Sequence, residues 1–358
     1  MNSKQRVKKA LSHSETDRVP RDFWSTEQTD KRIIKSLKLN SRMEMLQEFK
    51  IDFRYIKGPK YIGPELKRYP DGTFEDIWGT LFKKEIAGSE YYYNTIKSPL
   101  KDLATLEDIK NYDHWPSPDW FDYSDIYRQC VEHKDKVTIF IGNRLNRMAQ
   151  LKPAMYLRGM EQILVDMYLN KNIFDYIINK ITDFYLEYER RILKSSKGML
   201  EILGTGDDFG IQDNLLVSPD DWKKNLKAGF SQYIDIAHSY DVSVMHHSCG
   251  SIYDLIPEFI DCGLDILQSI QPDTFNMDLK KIKNNYGKDI CFQGGISIQK
   301  NLPLGKPEDI DNEVKSVFNA MKYSGGYIAC TAHNIQSDTP VKNILALIEA
   351  YDKYGNYC

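Results

Sequence analysis

The segment HHSCG (246–250) puts an imidazole and a thiol two residues apart, at His247 and Cys249. In an extended backbone, residues i and i+2 point to the same side. Imidazole nitrogen and thiolate sulfur are ligands that Zn²⁺ accepts readily in tetrahedral sites, and a catalytic zinc keeps three protein ligands and one open position. A third ligand is available in CTAH (330–333), from Cys330 or His333. An HxC pair alone arises by chance, and cysteine is also an ordinary small core residue. The second His/Cys cluster is what gives the first its weight. His246 is expected on the opposite side, in the core or toward the adjacent helix. Cys130, Cys262 and Cys358 are expected in helix packing or an exposed tail.

The second signal is GDDFGIQDNLLVSPDDW (206–222). Consecutive acids after a strand are unfavourable to bury without partners. Asp207 and Asp208 therefore cap a helix, bind a cation or hydrogen-bond a polar ligand. The SPDD run (218–221) reads as a helix start: Ser218 caps, Pro219 takes the first position and the acids favour the dipole. Gly294 and Gly295 after a strand would allow close approach of backbone to a ligand, or make a tight turn. No GxGxxG, GxxxxGK[ST] or GxSxG occurs, so phosphate binding and a serine nucleophile elbow have little support. Several of the 23 tyrosines and 15 phenylalanines could line an apolar pocket for an aromatic or corrin-like face.

These residues need elements to position them. Ser3 can cap a first helix with Val7, Ala10 and Leu11 on one face. Candidate strands are 19–24, 53–56, 137–142, 199–206, 242–247, 265–270, 290–295 and 327–330. From 136 onward they alternate with helical stretches at 155–169, about 173–194, 219–239, 252–263 and 307–323. Alternation of this kind implies parallel βα units with right-handed crossovers. Eight of them suggest an α/β fold of one domain, 1–358: a single (β/α)8 TIM barrel with N-terminal helices and an insertion (58–135) after the second strand. An open doubly wound sheet is the runner-up. Function on a barrel sits where strands end. Asp207 and Asp208 follow the fourth strand, His247 and Cys249 the fifth, Gln271 the sixth, Gly294 and Gly295 the seventh and His333 the eighth.

Composition narrows the partners. Among 358 residues, 48 Lys and Arg against 51 Asp and Glu give a net charge of −3, with no global pull on nucleic acid or an anionic membrane. No apolar run approaches a membrane span, and the basic N-terminus lacks an apolar signal core. A cytoplasmic location is expected. Six cysteines without a CxxC pair read as thiols or metal ligands rather than a disulfide framework.

The opening RVKKALSHSETDRVP, DGTFEDIWGT (71–80), GDDFGIQDNLLVSP, HHSCGSIYDLIPEFIDCGLDILQSIQP, FQGGISIQKNLPLG and GGYIACTAHNIQSDTPVKNI together resemble the uroporphyrinogen decarboxylase superfamily, nearly end to end and in its order. That resemblance implies a (β/α)8 barrel and two possible activities. One branch decarboxylates uroporphyrinogen without metal; Tyr156 and His333 match it. Its arginine-rich motif after VP is replaced here by VPRDFWSTEQT (19–29), which removes the charge-assisted grip on a multiply carboxylated substrate. The other branch comprises zinc-dependent corrinoid methyltransferases. By that resemblance His247 and Cys249 match the first two zinc ligands, and His333 falls at the third, where the branch carries cysteine. An amide, Gln271, stands in the region of an acidic residue.

The resemblance thus implies a zinc-dependent methyltransferase. It would act between a corrinoid on a partner protein and a small thiol or oxygen compound. Catalytic roles fall to His333, Tyr156 and Asp207, with Asp208, Gln271, Gly294 and Gly295 around the cofactor. The alternatives are metal-free decarboxylation of another electron-rich ring, and a non-catalytic corrinoid- or tetrapyrrole-binding barrel.

Overall fold

Seven short strands form one parallel sheet in sequence order: β1 (Phe53–Tyr55), β2 (Val137–Phe140), β3 (Ile202–Gly206), β4 (Ser243–His247), β5 (Ile266–Ile270), β6 (Cys291–Ile296) and β7 (Tyr327–Thr331). The computed structural model describes residues 1–87, 90–143 and 145–357, so Cys358 lies outside the described residues. Each strand is four to six residues of mainly buried side chains, apart from the three-residue β1. Such runs suit a sheet covered on both faces.

Period-two alternation divides the strand side chains into two cores. Phe53, Ile139, Ile202, Met245, Ile266 and Ile328 belong to an inner cluster. The alternate residues Phe140, Leu203, Val244, Leu267 and Phe292 pack outward under the helices. Cys291 and Cys330 are part of the inner cluster, and both are fully buried.

The expected strand at 19–24 does not form. Isolated bridges stand in its place, Arg21 to Ala329 within the segment and Ser25 to Ile335 just after it. Even so, this segment bonds to both edges of the sheet. Asp22 N–H donates to Ala329 O at 2.9 Å and Ala329 N–H to Pro20 O at 2.8 Å, while Asp52 N–H donates to Arg21 O at 3.0 Å. The ladder fails for physical reasons. Pro20 has no N–H, and the Arg21 N–H is taken by the Asp52 carboxylate at 2.9 Å.

The first helix, Ser3–Leu11, is capped by Asn2 in a capping box with Gln5, not by Ser3. Ser3 donates instead to Asp52 at 2.9 Å. The stretch expected as one helix at 155–169 is two, Leu151–Arg158 and Met160–Leu169, broken where Gly159 takes φ +87°. The 219–239 stretch is likewise split, into Pro219–Asn225 and Lys227–His238. The long helix is Lys171–Ser196. Between β1 and β2, outside the parallel sheet, lie an antiparallel pair (Lys60–Tyr61 with Phe121–Asp122) and a three-stranded meander of Thr73–Glu75, Leu81–Ala87 and Glu90–Lys97. No described helix is long and apolar enough to cross a membrane.

Candidate metal centre

His247 closes β4, and its neighbour His246 faces the other way. The His246 ring is packed among Phe209, Phe230 and Phe259 and bonded through Nδ1 to Thr205 at 2.8 Å. Burial lowers its pKa to about 3, so it is a neutral core residue. His247 points inward, one layer above Met245. Cys249 follows on the next loop, and its Sγ lies 3.3 Å from His247 Nε2. His333, two residues past β7, brings its ring to 5.8 Å from that of His247. One ligand atom from each of His247, Cys249 and His333 lies within 4.8 Å of the other two. Cys330, the other candidate for third ligand, is sealed in the inner core with its thiol pushed far up by burial.

The surroundings fix the His247 ring. Nδ1 is hydrogen-bonded to Gln268 Oε1, an acceptor, so Nδ1 carries the proton and Nε2 presents its lone pair toward Cys249. Trp24 stacks on the same ring at 5.5 Å and 16°. Trp24 is itself held by Nε1–H bonds to Asp22 (3.1 Å) and to the Tyr55 hydroxyl (2.6 Å). Asp22 Oδ2 also accepts from Gln293 at 2.8 Å. Burial, then the charge of Arg147, hold the His247 pKa well below its ordinary value, which keeps the imidazole neutral, the form that binds a metal. Burial pushes the Cys249 thiol up to about 12. A thiol in that environment ionises when a cation offsets the charge.

The donor set suits Zn²⁺. Bond lengths of roughly 2.0–2.3 Å predict a tetrahedral ligand–ligand edge of roughly 3.3–3.7 Å, which the His247–Cys249 separation matches. The outer bound of 4.8 Å exceeds that edge by about 1 Å, within reach of a side-chain rotation.

The two aspartates after β3 have different tasks. Asp207 is buried and accepts three backbone N–H bonds, from Gln150 (2.8 Å), Leu151 (2.7 Å) and Lys152 (2.7 Å). It therefore anchors the start of the Leu151–Arg158 helix rather than facing the cluster. Asp208 sits beside the cluster, with Oδ1 3.6 Å from His247 Nε2 and 3.2 Å from the Cys249 N–H, and Oδ2 paired with Lys152. Burial opposes its charge, but the Lys152 ammonium and the Cys249 N–H outweigh burial and hold its carboxyl below the usual range.

Gln271 accepts the Gly250 N–H at 3.0 Å and so shapes the loop carrying Cys249. Gly294 has φ +125°, and a Cβ there would lie 2.7 Å from Ile270 N; a Cβ on Gly295 would meet Val317 at 3.2 Å. Gly294 is thus close against the backbone of β5, whereas Gly295 faces helix side chains. Tyr156 rests edge-on against Phe82 at 5.1 Å. It lines a cleft of about 640 Å³ with Lys97, Lys101, Lys152, Met160 and Asp208. The cleft reaches the His/Cys cluster through Asp208; His247, Cys249 and His333 are not part of its lining. A second cleft, about 530 Å³, lies across the Glu90–Lys97 strand and is lined by Ser25, Tyr91, Tyr93, Asn143 and Asn334.

Sequence reasoning missed Trp24, Arg147, Lys152 and Gln268. Arg147 approaches both Trp24, with its guanidinium 5.7 Å from the ring, and the end of β3, where a Cβ on Gly206 would strike its Cδ at 2.4 Å. It follows β2, so the strand-end rule applied to GNRLNR (142–147) would have found it.

Residues 87–354 match the family described as uroporphyrinogen decarboxylase (URO-D), and the chain belongs to that family. Among solved structures it is similar to a methyltransferase from Methanosarcina mazei, with a TM-score of 0.68 at 14% identity, covering 99% of each chain. It also aligns with a putative vitamin-B12 independent methionine synthase from Listeria monocytogenes, at TM-score 0.45 and 9% identity over 96% of this chain and 99% of that one. No curated protein matches the sequence.

Proposed function

We propose that the chain is an enzyme, a zinc-dependent methyltransferase. It would move a methyl group between a corrinoid carried on a partner protein and a small thiol or oxygen compound. The observation that carries this reading is the convergence of His247, Cys249 and His333 within 4.8 Å. Membership of the URO-D family and the fold shared with a methyltransferase support it. We read residues 1–358 as one barrel domain in which segment 19–25 takes the place of an eighth stave.

His247 Nε2, Cys249 Sγ and an imidazole nitrogen of His333 would hold the metal. Bound there, Zn²⁺ would act as a Lewis acid that lowers the pKa of a thiol or hydroxyl. The chain's own residues do the rest. Gln268 sets the His247 tautomer, and Trp24 walls off one ring face. Asp208, kept ionised by Lys152, is placed to accept a proton from a heteroatom arriving beside His247. Tyr156 offers a hydroxyl at the cleft wall. Metal-free decarboxylation has less support, because Asp207 is committed to three backbone amides.

The test combines elemental analysis with methylcobalamin demethylation across a panel of thiols. About one zinc per chain, lost in Cys249→Ala and His333→Ala, with corrinoid demethylation lost in parallel, is expected. Zinc-free protein purified from zinc-replete, reducing conditions would refute the reading.

A further inference from the structure

We propose that the 640 Å³ cleft takes an organic anion. Its apolar body would lie on Met155 and Met160, its carboxylate between Lys97 and Lys101, and its opposite, methyl-bearing end would be directed past Asp208. This deepens the methyl-transfer reading and rests on it for which end of the ligand reacts.

Size sets the first constraint. A one- or two-carbon methyl donor would leave most of this volume to water, whereas it lies within the range that encloses larger organic ligands. The lining sets the second. Met155, Met160, Ile211 and Leu216 give an apolar wall, and methionine adapts to flat or irregular bodies.

Charge sets the third. Three lysines and two aspartates line the cleft. Lys152 and Asp208 pair with each other. That leaves Lys97 and Lys101 against Asp102 alone, and neither ammonium has an ion partner among the described residues. The cleft lining therefore carries a net positive charge, while the chain as a whole carries −3. Such a local excess favours an anionic ligand and steers its approach.

The backbone on either side of Lys101 is also held in place. Leu100 N–H donates to Leu157 O at 2.9 Å. The buried Arg158 guanidinium donates to the carbonyls of Leu100 and Leu103, the latter at 2.7 Å, and is paired with buried Asp166 at 2.7 Å. The loop carrying Lys101 is thus tied to the helix that carries Met155, Tyr156 and Lys152. A preformed site of this kind limits the ordering that binding requires.

Calorimetric titration of 4-methoxybenzoate against its uncharged amide, 4-methoxybenzamide, tests the assignment. Zinc-loaded and metal-free protein are titrated separately. The acid is expected to bind about tenfold or more tightly than the amide in both forms. The double variant Lys97→Gln/Lys101→Gln should abolish that preference, and Lys97→Arg/Lys101→Arg should retain it. Equal binding of the two probes, absence of binding by both at millimolar concentration, or a preference unchanged in the Gln variant overturns the proposal. Zinc measured in the same samples separates the two readings. Charge-selective binding by protein that never retains zinc leaves the cleft assignment standing and removes the metal one.

Discussion

The indole of Trp24 lies against the imidazole of His247, ring centroids 5.5 Å apart and planes 16° from parallel. The contact joins a segment outside the strand ladder to the end of β4. It holds because Asp22 and Tyr55 both bond the indole nitrogen. Trp24 is 8% exposed, so truncation leaves a cavity as well as a loose ring. Trp24→Ala should destabilise the fold by about 3–5 kcal/mol. It should also weaken zinc retention by about tenfold through lost ring orientation. Trp24→Phe, which keeps an aromatic face, should be milder in both. Denaturant unfolding and chelator competition read the two effects, and unchanged zinc retention in the Ala variant would show that the stack does not orient the ligand.

Gln268 acts on the opposite edge of the same ring. Its Oε1 is the acceptor that places the proton on Nδ1. Gln268→Leu removes that acceptor and leaves a buried ring N–H without a partner. Zinc affinity should fall by about 10–100-fold, as for other partners of ligating histidines. Gln268→Glu retains an acceptor and should lose less. Competition titration with a metallochromic chelator decides it, and equal affinities in all three proteins would rule the effect out.

The HxC spacing and the period-two rule place His246 and His247 on opposite faces, as the structure has them. The choice between Cys330 and His333 was not legible, because it depends on depth within the ring. Cys330 lies in the inner core, in register with Gly295, while His333 has cleared the strand. Asp207 and Asp208 look equivalent in the sequence, yet opposite orientations give one to a helix start and the other to the cluster. Gln268 carried no signal, since a glutamine in the middle of an apolar strand belongs to no motif. The strand expected at 19–24 failed because an Asp52 side chain took the N–H a ladder needed.

Burial raises the pKa of Asp76 to about 7. This carboxyl accepts the Trp78 and Thr80 amides at 2.9 Å, and its Oδ2 is buried without a hydrogen-bond partner. An acid whose folded pKa exceeds its unfolded value binds protons more tightly when folded. Its contribution is full below the unfolded pKa, near 3.8, and is lost as pH rises through about 7. The loss is on the order of 4 kcal/mol at most, at 1.36 kcal/mol per unit. Asp76→Asn removes the titration, so the variant should gain on the wild type as pH rises from 5 to 8. Parallel stability curves in urea across that range would contradict this.

Gly294 separates the packing role of the glycine pair from a ligand-contacting one. With φ +125° and a Cβ position 2.7 Å from Ile270 N, Gly294→Ala meets both an unfavourable backbone and a rigid neighbour. The residue sits where β5 shifts register against β6, so Ile270 cannot retreat without breaking that pairing. Strained φ and overpacking each cost about 1–3 kcal/mol, so a loss of more than about 2 kcal/mol is expected. Gly295→Ala shares an unfavourable backbone, at φ +95°, but its nearest neighbour is the Val317 side chain at 3.2 Å rather than backbone, so it should be the milder of the two. If Gly294 instead admitted a cofactor, the Ala variant would keep its stability and lose only ligand affinity. Thermal unfolding of the two single variants, compared with their binding of methylcobalamin, distinguishes these outcomes.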